Sequence, residues 1–235
     1  MHSKTHNSLI RFASTLLMVA ALSVPLAAVR AQDAGNLLVN GNMEGGFAAR
    51  DGVSGVPLGW AFFIISGALD ADRQAFAPYA FSPPTFWAMR SSFGSWTAGG
   101  RQTVAVQQGQ NYRLGAHAFI WTCNDPQWSC IPSDAPRFSN TESGARVKIG
   151  IDPNGGFDPL STAIIWSAWI QPWNSYTGIT VEAQAISGQM SVFLLAESGS
   201  AMAFNEVYWD DITLSPFGGT VAGQVPATAG QSAAV

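Results

Sequence analysis

Six tryptophans carry most of the chemistry legible in this chain: Trp96, Trp121, Trp128, Trp166, Trp169 and Trp173. A rigid indole offers a flat apolar face with a polar edge, suited to covering the C–H surface of a pyranose ring. Arg90, Arg101, Gln102 and Gln171 lie near them in sequence. Their planar polar ends can take neighbouring hydroxyls in pairs. Trp60, behind a Pro-Leu-Gly turn, and Trp209, inside a closing apolar strand, read instead as core, since large aromatics are mostly buried. In WSAWIQPW, period-two geometry separates Trp166, Ala168 and Ile170 from Ser167, Trp169 and Gln171. Ala168 and Ile170 mark the apolar face, so Trp166 is expected inside and Trp169 outside. Trp173 follows Pro172 in a loop, and Trp128 occupies the tip of the loop between Cys123 and Cys130; both are placed like rim aromatics, each readable equally as a ligand platform or as a loop anchor packed on the sheet. The ligand-binding set expected is therefore Trp96, Trp121, Trp128, Trp169 and Trp173 with Arg90, Arg101 and Gln171.

Catalytic constellations are missing. The sequence has no GxSxG, no HExxH and no glycine-rich phosphate loop. A hydrolytic triad would have to rest on His117, the single histidine after residue 31, which lies in a strand pattern. Glu182, Glu197, Glu206, Asp210 and Asp211 could supply the paired carboxylates of a glycoside hydrolase, but nothing in their spacing sets a catalytic separation. Asp152, Asn154 and Asp158 form an oxygen-rich loop, read as an Asp-Pro turn in which the side chains bond their own backbone.

The elements that must position these residues are strands. Nine Trp, 14 Phe, 24 Gly and 13 Pro with only 11% charged residues describe short strands and many turns. Helix formers at amphipathic spacing are absent after residue 31. Strands are expected from residue 36 to the Asn40-Gly41 turn, from the Pro-Leu-Gly-Trp entry at Trp60, and around residues 86–91, 101–106, 112–118, 146–151, 163–170, 178–186, 190–197 and 206–214, with glycine-rich or Asn/Ser-Gly turns between them. Val192-Phe193-Leu194-Leu195 is apolar on both faces, as in a strand buried between layers.

Residues 1–31 read as a signal peptide, with Lys4 and Arg11 flanking a short lead, FASTLLMVAALSVPLAAV as the apolar stretch, and small residues before a cleavage after Ala31. Ser14, Ser23 and Pro25 interrupt a run too short to span a bilayer. Lys4, Arg11 and Arg30 leave with it, so 8 of the 11 basic residues face all 15 acidic ones, a balance near −7. That balance invites neither nucleic acid nor an anionic membrane. In a secreted or surface-displayed chain, Cys123 and Cys130 are expected to pair as a local disulfide; a zinc site would need more Cys or His nearby. Residues 32–215 make one domain, and residues 216–235, small and Pro/Gly/Ala-rich, a flexible tail.

Three segments resemble a known family. NLLVNGNMEGG at residues 36–46 with the Pro-Leu-Gly-Trp turn, Ala88-Met89-Arg90 leading through Trp96 to a Gln-containing strand and Tyr112, and EVYWDDITL at residues 206–214 are similar to carbohydrate-binding modules of the family four and nine type. The resemblance implies an all-β, jelly-roll-like antiparallel sandwich of galactose-binding-like kind, of the type secreted by bacteria. It implies a non-catalytic module that binds polysaccharide through exposed aromatics. It also implies a structural calcium near the meeting of the first and last strands, at Glu44 and Asp210. A surface structural or adhesive protein using the same sandwich for protein contacts is the alternative, and retardation by soluble polysaccharides separates the two.

Overall fold

The computed structural model describes residues 35–76, 79–125, 139 and 143–219. Twelve strands follow in chain order: β1 (Phe47–Arg50), β2 (Val53–Pro57), β3 (Ala61–Gly67), β4 (Asp70–Gln74), β5 (Phe86–Ser91), β6 (Trp96–Ala105), β7 (Asn111–Cys123), β8 (Arg146–Asp152), β9 (Ile165–Trp166), β10 (Thr177–Gln184), β11 (Gln189–Ser198) and β12 (Phe204–Pro216). Sheet I has the order β10-β7-β12-β5-β4, sheet II the order β3-β6-β11-β8-β9, and β1 pairs with β2 as a hairpin. All strand pairs are antiparallel. The protein is an all-β sandwich, and no helix among the described residues is long and apolar enough to cross a membrane.

Alternation explains which residues meet between the sheets. Trp87 and Met89 from β5, Val207 and Trp209 from β12, and Leu114, Ala116, Ala118 and Ile120 from β7 face Val147, Ile149 and Ile151 from β8 and Val192 and Leu194 from β11. Trp60 and Trp209 are 1% and 0% exposed, as their sequence context suggested. The N-terminal segment closes the sandwich against a bulge in β12. Leu37 N donates to Leu214 O at 2.8 Å, and Ile212 N donates to Gly41 O at 2.8 Å. Asn36 ties the same place twice more, its amide donating to Ile212 O and its carbonyl accepting from Leu214 N, each at 2.9 Å.

Several expectations need correction. Residues 36–43 form turns rather than an opening strand, because their hydrogen bonds go to the β12 bulge instead of a continuous ladder. The strand expected at residues 163–170 is only Ile165–Trp166. Ile165 pairs with Ile151 and Trp166 with Gly150, so Ile165 faces the core and Trp166 the outer side, the reverse of the expected orientation. β1, β2 and β4 were not foreseen. Cys123 ends β7 fully buried. Cys130, Trp128, the leader and residues 220–235 lie outside the described residues.

Candidate functional site

The outer face of sheet I builds the candidate site from alternate residues of three neighbouring strands. β4 contributes Asp70, Asp72 and Gln74; β5 contributes Phe86, Ala88 and Arg90; β12 contributes Phe204, Glu206 and Tyr208. Pairing sets Asp70 and Glu206 on either side of Arg90, and Asp72 opposite Ala88, which is opposite Tyr208. The intervening residues Ala71, Trp87, Met89, Val207 and Trp209 belong to the core. Each of these strands thus places a core residue and a site residue by the same period of two.

A cavity of about 540 Å³ opens over this grid, lined by Asp70, Gln74, Phe76, Tyr79, Phe86, Arg90, Phe204, Glu206 and Tyr208 among others. Its aromatic wall is continuous. The Phe86 and Tyr208 rings lie 4.6 Å apart, Phe119 stacks on Tyr208 at 5.4 Å, and Trp121 stacks on Phe204 at 5.4 Å. Phe76 stacks on Tyr79 at 5.0 Å and remains 52% exposed at the rim. Tyr208 donates its hydroxyl to Glu206.

The polar floor is held in place. Arg90 Nη2 donates to Asp72 Oδ2 at 2.6 Å, and Gln74 donates to the same oxygen at 2.8 Å. Burial pushes the Asp72 carboxyl above its ordinary range, with Gln74 and Arg90 pulling the other way. At Asp70 burial also pushes upward, but the Ser54 amide and hydroxyl, at 2.8 and 2.7 Å, outweigh it and the net shift is downward. A carboxyl with a lowered folded pKa adds stability above its unfolded value, 3.8, and loses it as pH falls through the folded one. The stability difference between the parent and Ser54→Ala is therefore expected at neutral pH and should shrink below pH 3.8. Paired melts across that range check it; a difference that grew in acid would contradict the assignment.

The residues expected from sequence are divided between opposite faces. Among the described ones, only Arg90 lines the cavity. Trp121 is 0% exposed beneath it, stacked on Phe204, and Trp96 is 2% exposed in the main core, so neither presents an open face for stacking. Trp173 is half-buried and packs against the core, bridged to Ile120, as a loop anchor on the sheet. Trp169 and Arg101 belong to sheet II: the Arg146 guanidinium lies 4.4 Å and the Lys148 ammonium 4.5 Å from the Trp169 ring centre, while Arg101 lies 5.6 Å from that of Phe157. Gln171 is exposed and donates to Ala145 O at 3.2 Å. Burial lowers the Lys148 pKa, opposed by the Glu197 charge.

Glu44 and Asp210 hold the two ends of one short turn. Thr85 N donates to Glu44 Oε1 at 2.8 Å, and Ser82 N donates to Asp210 Oδ2 at 2.8 Å. Asp210 is fully buried, and burial pushes its carboxyl up to about 7 although the Ser82 and Asp211 amides favour the charged form. No group of three or more His, Cys, Asp or Glu side chains with metal-site geometry occurs among the described residues. The Asp152, Asn154, Asp158 loop is the turn expected, Asp152 Oδ1 accepting from Asn154 N at 2.8 Å and Asp158 Oδ1 from Leu160 N at 2.9 Å.

The residues missed were Asp70, Asp72, Gln74, Phe76 and Tyr79, and Glu206 was named only among carboxylates for hydrolysis. Their signal was present in DADRQ, FWAMRS and FNEVYWD, where polar and aromatic residues alternate with core ones. What sequence lacked was the order β12-β5-β4 that lays the three patterns side by side.

No protein-family model matches the sequence, and no curated protein matches it either. Solved structures do. A family-61 carbohydrate-binding module in complex with β-1,4-galactotriose is 14% identical with a TM-score of 0.50, over 77% of this chain and 99% of that one. A family-22 xylan-binding domain from Paenibacillus barcinonensis is 14% identical with a TM-score of 0.40, over 67% and 85%. A Stig cyclase from Fischerella sp. TAU is 11% identical with a TM-score of 0.48, over 78% and 97%. The likeness to the family-61 module is one of fold, a β-sandwich.

Proposed function

We propose that this protein is a secreted, non-catalytic glycan-binding module whose ligand sits in the cavity on the outer face of sheet I. The observation that carries the reading is the pairing, in one cavity of about 540 Å³, of an aromatic wall with Arg90 and Gln74, both held from behind by Asp72. Phe76, backed by the buried Tyr79 ring, offers C–H stacking surface, and Arg90 offers a planar fork to vicinal hydroxyls. Of the carboxylates named for hydrolysis, Glu182 pairs with Arg113 on sheet I and Glu197 with Arg146 on sheet II, while Glu206, Asp210 and Asp211 share β12. Affinity electrophoresis in soluble neutral polysaccharides tests the reading, with β-1,4-galactan as the first probe. Failure of every neutral glycan to retard the protein would refute it and favour the adhesive alternative.

Calcium belongs to the same proposal. Glu44 and Asp210 would hold the ion, backbone carbonyls completing the oxygen set that calcium prefers, and its charge would offset the desolvation of Asp210. The ion's role there is structural, clamping the turn at residues 82–85 to the closing strand. Calcium at about 100 times its Kd should then add about 2.7 kcal/mol to stability. Identical melting with calcium and with a chelator would exclude the site.

A further inference from the structure

The outer face of sheet II carries a second array that the cavity does not use. Pairing sets Gly150, Phe193 and Arg101 in one row across β8, β11 and β6, with Trp166 opposite Gly150. The next row is Lys148, Leu195 and Gly99, with Phe63 opposite Gly99. The two glycines make room for the rings. A Cβ at Gly150 would come within 2.5 Å of the Trp166 indole, and one at Gly99 within 2.6 Å of the Phe63 ring. The Phe193 ring is fully buried, its centre 6.0 Å from that of Trp166 and 6.3 Å from that of Phe63. The planes of those two half-buried rings are tilted 57° and 63° from it, so the accessible part of this aromatic plate is Trp166 and Phe63.

Cations border this plate. The Lys148 ammonium lies 4.3 Å from the Trp166 ring centre and 4.5 Å from that of Trp169. Arg101 stands at the other side, beside Phe157. Arg146 is paired with Glu197 at 2.5 Å. Neither Lys148 nor Arg101 forms an ion pair among the described residues. Asp152, the other carboxylate on this side of β8, is buried and accepts from the Asn154 amide. A chain of net charge −4 thus gathers around one aromatic surface two cations without a close ion-pair partner among the described residues, Glu197 acting on Lys148 only at longer range.

We propose that this face is a second binding surface, for a polysaccharide bearing carboxylates along its chain. Charge complementarity selects an anionic partner, and the plate selects one with flat C–H faces between its charges. The spacing selects a chain over a single anion. Lys148 and Arg101 are two strands and one two-residue step apart, about 12 Å between Cα atoms, and each head group is held beside its own ring. One carboxylate cannot reach both; successive uronate residues can. The guanidinium fork of Arg101 matches a carboxylate in-plane.

The test is affinity electrophoresis of the full protein in polygalacturonate, in its methyl ester and in dextran sulfate. Polygalacturonate should retard the parent, the methyl ester should not, and added salt should weaken the retardation. Arg101→Gln with Lys148→Gln should weaken polygalacturonate binding by about 100-fold or more, and each single variant by about tenfold, the size of one lost charge-assisted hydrogen bond. Glu197→Gln, which removes a carboxylate from the face, should strengthen it. Arg90→Leu, in the opposite cavity, should leave it unchanged, so failure of the neutral-glycan reading and failure of this one are read separately. The proposal is overturned if polygalacturonate does not retard the parent, if the double variant binds like the parent, or if Arg90→Leu abolishes the effect. Equal retardation by dextran sulfate overturns it too, because a surface for any polyanion needs no sugar plate.

Discussion

Trp87→Ala is expected to destabilise the protein by about 3 to 5 kcal/mol, the cost of truncating a large aromatic in a packed core, and to lower Tm by about 2 to 4 °C for each of those kcal/mol. Trp87 is 0% exposed on β5. Its ring contacts Trp60 at 6.2 Å and Phe62 at 6.1 Å, and its Nε1–H donates to Gly55 O at 3.1 Å. It packs so closely on β6 that a Cβ at Gly100 would lie 2.3 Å from the indole. Alanine would therefore leave a cavity spanning both sheets and orphan the Gly55 carbonyl. Trp166→Ala removes the same side chain from the outer, half-buried plate of sheet II, and should cost only about 1 to 2 kcal/mol. Parallel melts of the two variants decide the placement of both rings. Equal losses would mean that Trp166 is core after all.

That contrast also marks where sequence reasoning succeeded and failed. Trp60 and Trp209 were legible because each sits in a strongly apolar or turn-defined context that admits one side. The strands from β5 to β8 and from β10 to β12 were legible because period-two alternation fixes a face wherever one side is buried. Trp166 failed because its strand is two residues long: Ile165, not Trp166, continues the core face, and the chain then leaves the sheet. Gly150 was the missed signal. An outward glycine in a strand leaves a bare patch of backbone, and a neighbouring aromatic commonly covers it. Phe193 and Leu195 were rightly expected to be buried. Their cover is a set of rings on sheet II, where a packed layer was expected.

The candidate site was less legible for a topological reason. Neighbours in sheet I are far apart in the chain: β7 pairs with β12, and β12 with β5, across crossovers. Period two says which residues of DADRQ or FNEVYWD share a face, but not which strands lie beside one another. Selecting the tryptophans as a group therefore mixed residues of two opposite surfaces and the core. Arg90 alone was placed in the cavity, and it is where the functional reading is most exposed to test.

Arg90→Leu is expected to weaken retention by a neutral glycan by about 1.5 to 3 kcal/mol, the range for hydrogen bonds made by a charged group, which is about 10-fold to 100-fold. The aliphatic replacement keeps much of the stem's packing and removes only the fork. Arg90→Lys should restore little, because an ammonium keeps the charge but not two parallel donors. Arg113→Gln breaks an exposed pair with Glu182 elsewhere on sheet I and should bind like the parent. A purely structural role for Arg90 would show a different pattern. Without the guanidinium, the Asp72 carboxyl, already raised by burial, rises further. A raised carboxyl contributes stability that is fully present below its unfolded pKa, 3.8, and lost as pH rises through the folded one. The stability defect of Arg90→Leu should therefore fade in acid and be relieved by adding Asp72→Asn, which removes the charge. The binding defect should survive that second substitution, because an asparagine restores no donor fork. If Asp72→Asn rescued binding together with stability, Arg90 would be a structural partner of Asp72 and the ligand's hydroxyls would have to be held by other groups.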